Sequence, residues 1–230
     1  MYKNKTFLAI IPARGGSKRL SQKNILDLNG KPLIAYSIEA GLKSKYIDKV
    51  IVTSDDSTIL AIAKEYNSNF IDRPKELALD TSLTFDTILH TIENVETFDY
   101  IVLLQATSPL RNSEHIDEAI EKLFNKEGDA IISVCEMEHS PLWSNILPSN
   151  DSLKEFISNE ITTKRSQDLK QYFRLNGAIY ICNREKLLEE KSFFLKDKIF
   201  AYKMEQQYSI DIDEEIDFEL AKLYMKKEEM

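Results

Sequence analysis

The sequence predicts an α/β protein, a mostly parallel β-sheet flanked by helices. Two observations carry this. Short apolar runs alternate along the chain with amphipathic stretches of about ten residues, the rhythm of βαβ units. The composition is also that of a folded core. Of 230 residues, 43% are hydrophobic and 30% charged, with only six Gly and six Pro. That excludes collagen-like, mucin-like and wholly disordered chains. A chain of this length buries enough surface to need no disulfide or metal staple.

The elements follow in order. Phe7–Pro12 reads as a buried strand because it is apolar on both faces. Pro32–Leu42 has helical spacing, Lys49–Ser54 is a second strand and Ser57–Tyr66 a helix. Thr84–Val95 is a helix and Tyr100–Gln105 a strand. His115–Asn125 places Ile116, Ala119, Ile120 and Leu123 on one helical face, and Ala130–Cys135 is again a strand. Between Met137 and Arg174 the pattern weakens, with Ser140-Pro141, Pro148–Ser152 and the mixed-charge stretch Asn159–Lys170. That middle reads as an insertion used for a lid or for association, or as an irregular loop region. The pattern resumes with the strand Ala178–Cys182, the helix Glu185–Glu190 and a final helix from about Glu214. The main domain is therefore 1–136 with 175–230, and 137–174 is the insert. Sheets of this kind bind ligands at the carboxyl ends of their strands.

Net charge is −8 and unevenly distributed. The first fifty residues carry ten Lys/Arg against three Asp/Glu. A basic segment on an acidic protein points to a local anion site and away from nucleic acid. The longest apolar runs fall far short of the roughly 20 residues that span a bilayer. The start, Met1–Lys5 before a short apolar run, predicts no signal peptide. Cys135 and Cys182 form no CxxC and no disulfide framework, so a cytoplasmic location is the expectation.

Two constellations carry chemistry. In the first, the strand ending at Pro12 runs into Arg14-Gly15-Gly16-Ser17-Lys18-Arg19, with Lys23-Asn24 beyond. Glycines let backbone approach an anion and can supply a nest of N–H groups, while Arg14, Lys18 and Lys23 add the charge a triphosphate needs. Neither a Walker A loop nor the dinucleotide fingerprint is present. A plain tight turn between strand and helix is the other reading. The second is Ser209-Ile210-Asp211-Ile212-Asp213. In extended backbone both carboxylates share a face and suit Mg²⁺, which takes one or two carboxylates together with substrate phosphates. Alternatively Asp213 caps the last helix. The three histidines show no zinc spacing, and no catalytic triad is evident. Phe193-Phe194, flanked by Lys191 and Lys196, reads as a partly exposed or interface patch.

These residues, taken with others, resemble one family. Ile11–Lys18 with Lys23-Asn24 looks like the nucleotide motif of the acylneuraminate cytidylyltransferases, the CMP-sialic acid synthetases. In that family's order follow Val52–Asp55, Arg73-Pro74 with Leu77-Ala78 and Asp80-Thr81, Leu104–Arg111, Arg174–Tyr180 and Ser209–Asp213. The resemblance spans roughly residues 7–220 and implies a Rossmann-like fold. It also implies transfer of CMP from CTP to the anomeric hydroxyl of a nine-carbon 2-keto sugar acid, with release of pyrophosphate. By the same resemblance Arg14, Gly15, Gly16 and Ser17 hold phosphates and Lys23 stabilises charge during transfer. Asn24, Arg73, Asp80 and Ser82 recognise cytidine. Gln105, Arg174, Asn176, Phe193 and Phe194 belong to the sugar side, and Asp211 and Asp213 bind Mg²⁺. Arg14, Lys23 and Asp211 are the catalytic set. The family's dimers imply a homodimer here, with the insert against the partner.

The related KDO cytidylyltransferases usually show Lys-Pro where this chain has Lys23-Asn24, which disfavours that alternative. A catalytically silent nucleotide-binding protein is disfavoured because Arg14, Lys23, Asp211 and Asp213 are all present. On the sugar side this chain has Trp143 where sialate enzymes can carry Lys, Ser166 before Gln167 where they can carry Arg, and Leu175 where Pro is common. N-acetylneuraminate, legionaminate and pseudaminate all stay open.

Overall fold

The computed structural model describes residues 1–228. Seven strands form one sheet in the order β5-β4-β1-β6-β8-β7-β9. They are β1 (Phe7–Pro12), β4 (Lys49–Ser54), β5 (Asn69–Asp72), β6 (Tyr100–Leu103), β7 (Ala130–Glu136), β8 (Phe173–Asn183) and β9 (Ile199–Met204). A separate two-stranded ribbon pairs β2 (Asp27–Leu28) with β3 (Lys31–Pro32). β8 runs against both of its neighbours, and every other adjacent pair in the main sheet is parallel. The mostly parallel sheet expected from the alternation of elements is therefore present.

β1 is central because its residues are apolar on both faces, and Phe7 to Ile11 are wholly buried. One face packs Phe7, Ala9 and Ile11 against α1 (Leu33–Lys43), α2 (Ser57–Glu65) and α4 (Ser113–Asn125). The other packs Leu8 and Ile10 against α3 (Thr84–Glu93) and α6 (Arg184–Glu190). The helices start where local chemistry starts them. The Asp56 carboxylate accepts from the Thr58 and Ile59 amides to cap α2. Asn112 and His115 form a reciprocal capping box on α4, which gives that histidine a structural task. The last helix, α7 (Glu215–Glu228), packs Phe218 and Ala221 on Leu28, Leu33 and Ile212. Cys135 and Cys182 are buried and unbridged, and burial pushes the Cys182 thiol up to about 12.

Two strands of the main sheet fall outside the sequence expectation. β5 is a polar edge strand with no buried residue, and β9 buries alternate residues only at its end. β8 is also longer than the expected Ala178–Cys182. It begins at Phe173, inside the proposed insert, and only residues between β7 and that point lack a place in the sheet. They hold one short helix, α5 (Asn159–Thr162), and several single turns. Ile146, Leu147 and Leu153 stand exposed there. Among the described residues no helix is long and apolar enough to cross a membrane.

Candidate active site

After β1 the chain crosses first to β4 and β5 on one side, then returns to β6 on the other. That reversal opens a crevice between β1 and β6 at their carboxyl ends, the usual ligand position in such sheets. A cleft of about 600 Å³ lies there. Pro12, Arg14, Ser17 and Lys23 line it from the β1 side, Gln105 and Thr107 from the β6 side, and Arg73, Asp80 and Ser82 close it.

The cations of the first loop converge as the sequence suggests, but each already faces a carboxylate. Arg14 Nη1 lies 2.7 Å from Asp80, and Lys18 holds the other oxygen of the same carboxylate. Those hydrogen bonds keep the Asp80 carboxyl below its usual range. Lys23, nearly buried, donates to the Ile212 carbonyl and to Asp213 Oδ1 at 2.9 Å, and Arg19 reaches Asp213 Oδ2 at 3.0 Å. Asp80 and Asp213 therefore stand where substrate anions would meet these cations.

Two amides of the loop expected to form a nest already have partners. The Gly15 amide donates to Asp55 Oδ1 at 3.3 Å and the Ser17 amide to the Gly15 carbonyl at 3.1 Å. Gly15 is required for another reason: a Cβ there would collide with the Asp56 carboxylate. No helix follows the loop directly. The chain makes a single turn at Lys23–Ile25 and enters β2.

Arg73 and Asn24, expected at the base, brace the loop. The Asn24 amide nitrogen donates to the Arg14 carbonyl at 3.0 Å, and Arg73 Nη2 to the Ala13 carbonyl at 3.3 Å. Arg73 Nη1 donates to the Thr87 hydroxyl, and Asp55 lies 3.8 Å from Nη2. Burial lowers the Arg73 pKa, and Asp55 opposes the shift. Ser82 donates to the Glu76 carbonyl and shapes the 75–82 loop.

A wide bulge builds the far wall. Ile132 pairs with Tyr180 but Val134 pairs with Leu175, so Ser133 alone faces residues 176–179 of β8. The Ser133 hydroxyl bridges the gap, 2.6 Å from Asn176 Oδ1 and accepting from the Ile179 amide at 2.8 Å. Asn176, expected on the sugar, is buried and bonded into this frame. Its amide nitrogen donates to Ser209 Oγ at 2.9 Å, and its oxygen accepts from the Ala178 amide. The bulge turns Gly177 to φ +76°, where a Cβ would sit 2.9 Å from Gln105 Oε1 and 3.6 Å from Asp211 Oδ2. Gly177 thus brings Gln105 and Asp211 onto one wall beside the cleft.

The two aspartates of the last constellation diverge. Asp211 is solvent-accessible, yet the protein crowded around it pushes its carboxyl above the usual range. The Asp213 charge adds to that, while the Thr107 side chain and Lys23 oppose it. Asp213 is held below its usual range by the hydrogen bond and charge of Lys23, and then by Arg19. Neither resembles a helix cap. It is the Asp217 carboxylate that accepts from the Asp213 and Glu214 amides.

Tyr180 lies close enough for the Asp211 charge to raise its pKa further after burial. Phe193 and Phe194 meet its ring edge-on at 5.9 and 6.3 Å. Phe193 is buried within its own chain, so only Phe194, 52% exposed, remains of the expected patch. Arg174 is exposed, donating to the Leu175 and Ser209 carbonyls.

The donor set suits a hard divalent cation. Among the described residues no cluster of three or more His, Cys, Asp or Glu forms a cage. Two carboxylates fit a cation that also takes water and phosphate oxygens. The raised Asp211 carboxyl, beside a second carboxylate, is one that a positive charge would relieve.

The family model described as cytidylyltransferase matches residues 8–230. This chain belongs to that cytidylyltransferase family. It is 41% identical over 217 residues to N-acylneuraminate cytidylyltransferase of Escherichia coli, with 93% of this chain and 51% of that protein aligned. It thus spans about half the length of that relative. It is 34% identical over 225 residues to pseudaminic acid cytidylyltransferase of Campylobacter jejuni, covering 95% of this chain and 96% of that one. In fold it matches the solved structure of CMP:2-keto-3-deoxy-manno-octonic acid synthetase complexed with CTP. The TM-score is 0.73 and the identity 18%, over 97% of this chain and 99% of that one.

Proposed function

We propose that this chain transfers CMP from CTP to the anomeric hydroxyl of a nine-carbon 2-keto sugar acid and releases pyrophosphate. The observation that carries the reading is the joining of two half-sites. A cleft ringed by Arg14, Lys18, Lys23 and Arg73 abuts a wall where Gly177 brings Gln105 and Asp211 together. The Escherichia and Campylobacter relatives, named for neuraminate and pseudaminate, support the substrate class. So does Lys23-Asn24 against the KDO alternative.

In the reaction the anomeric oxygen forms a bond to the α-phosphorus. The bond from that phosphorus to the bridging oxygen breaks, and pyrophosphate leaves with the electron pair. The hydroxyl proton passes to a carboxylate, and Asp211 is the one not already engaged by lysine or arginine. Arg14, Lys18 and Lys23 exchange Asp80 and Asp213 for triphosphate oxygens, which frees Asp213 to join Asp211. Mg²⁺ held by these two aspartates would supply charge neutralisation and Lewis acidity. The rest is positioning, as phosphoryl transfer generally requires.

Pyrophosphate release from CTP, measured against neuraminate, legionaminate, pseudaminate and KDO, tests the reading. No release with any of the first three, or release with KDO alone, would refute it. Base selection follows from Asn24: its amide nitrogen is engaged, leaving Oδ1 to accept from the exocyclic amine of cytosine. CTP should therefore be preferred to UTP by roughly 10²-fold or more. Equal turnover of the two would count against that contact.

Assembly is a further expectation. Exposed Ile146, Leu147, Leu153 and Phe194 have no core of their own, which supports a homodimer built on residues 137–174. Sedimentation at micromolar concentration should show a dimer. A monomer with full activity would end this idea. A cytoplasmic location agrees with two buried, unbridged thiols.

A further inference from the structure

Arg111 is the most deeply buried charge among the described residues, only 1% exposed. No carboxylate among the described residues pairs with it. Nη2 donates to Ser37 Oγ at 2.7 Å and to the Gln105 carbonyl at 3.5 Å, while Nε and Nη1 find no partner among the described residues. Burial alone pushes its guanidinium down to about 9. An unpaired buried cation is costly, and an apolar residue of similar volume usually serves stability as well or better. Stability therefore does not account for it.

Its neighbours do. The Gln105 carbonyl also accepts from the Ser37 hydroxyl at 3.0 Å and from the Ser108 amide at 3.4 Å. That carbonyl anchors a turn with two outward commitments. The Gln105 side chain meets Gly177, and Thr107 supplies both the carbonyl that receives the Ile212 amide at 2.9 Å and the side chain that reaches Asp211. The turn thus ties the sugar wall to the aspartate segment. Arg14, Asn24 and Arg73 are braced independently of it, through Asp80, the Arg14 and Ala13 carbonyls and Thr87.

We propose that Arg111 is a positioning residue that fixes the Gln105–Ser108 turn, and so sets the sugar wall and the Asp211 segment while leaving the bracing of Arg14, Asn24 and Arg73 untouched. The kinetic part rests on the cytidylyltransferase reading, and the structural part does not.

The experiment uses Arg111→Met in the full chain, a neutral change of similar volume that leaves the Ser37–Gln105 bond in place. Hydrogen exchange at the amides of 106–108 should speed up by roughly tenfold while β1 is unchanged. kcat/KM for the sugar should fall by roughly 10²-fold, with the KM for CTP within about twofold of wild type. The melting temperature should stay level or rise. Unchanged exchange in the turn would overturn the proposal. So would a lower melting temperature with equal losses for CTP and sugar, the mark of a merely structural role. If the wild type turns over no sugar acid, the enzyme reading falls and the exchange result still decides the role of Arg111. If Arg111→Met does not fold, Ser37→Ala replaces it: faster exchange at 106–108 supports the proposal, and unchanged exchange there refutes it.

Discussion

Lys23→Met should lower turnover by about 10²–10³-fold, the usual loss when one preorganised donor to developing charge is removed. Lys23 is the least exposed cation of the loop after β1 and is held from two sides, by the Ile212 carbonyl and Asp213. It reaches across from the β1 loop to the aspartate segment, so its ammonium lies where a triphosphate and that segment would meet. The substitution has a second effect. The Ile212 carbonyl loses its donor and Asp213 keeps only Arg19, a loss of about 1–3 kcal/mol of stability. The two effects separate by temperature. Turnover measured well below the melting point reads catalysis, and the melting curve reads the strut. A variant that melts lower yet keeps normal turnover at low temperature would make Lys23 a structural pair with Asp213 and nothing more.

Legibility of the fold followed burial. β1, β4, β6 and β7 are apolar and central, and their runs stand out from the chain. β5 lies at the edge with Asn69, Phe70 and Asp72 exposed, so its pairing with β4 leaves almost no hydrophobic trace. The bulge in β8 is equally silent, because its cause is Ser133 on another strand, 43 residues from Asn176.

The candidate site was legible as residue types gathered at loops, and less so as roles. Asn176 and Arg73 sit among site residues, and their bonds to Ser209, Ala13 and Thr87 are not visible in the sequence. Thr107, Gly177 and Arg111 lay inside motifs already marked by Gln105 and Asn176. The available sign was that Gly177 and Arg111 are costly choices there unless the backbone needs φ > 0 or the turn needs an anchor. Asp80 and Asp213 were marked for cytidine and for Mg²⁺, and their pairing with the cations of the first loop shows only in the coordinates.

Asp211→Asn should lower turnover by about 10²–10⁴-fold, the range for a positioned proton acceptor, and should raise the Mg²⁺ concentration needed for half-maximal rate. The effect on stability has the opposite sign from that of a lost helix cap. The Asp211 carboxyl is raised above its unfolded value by the crowding around it, against the pull of Thr107 and Lys23. A carboxyl raised in this way binds its proton more tightly when folded, so the folded state loses stability as pH rises through that window. Near neutral pH the ionised group is a burden that Asn removes. The variant should then melt level with or above the wild type in metal-free buffer, and the difference should vanish as pH falls below the unfolded aspartate value. A cap would behave otherwise: its loss lowers stability by about 0.5–2 kcal/mol and leaves the rate alone. Melting curves in chelator at neutral and acidic pH, with turnover against Mg²⁺, separate the two. Near-normal turnover with a lowered melting temperature would remove Asp211 from the chemistry and leave it a structural partner of Thr107.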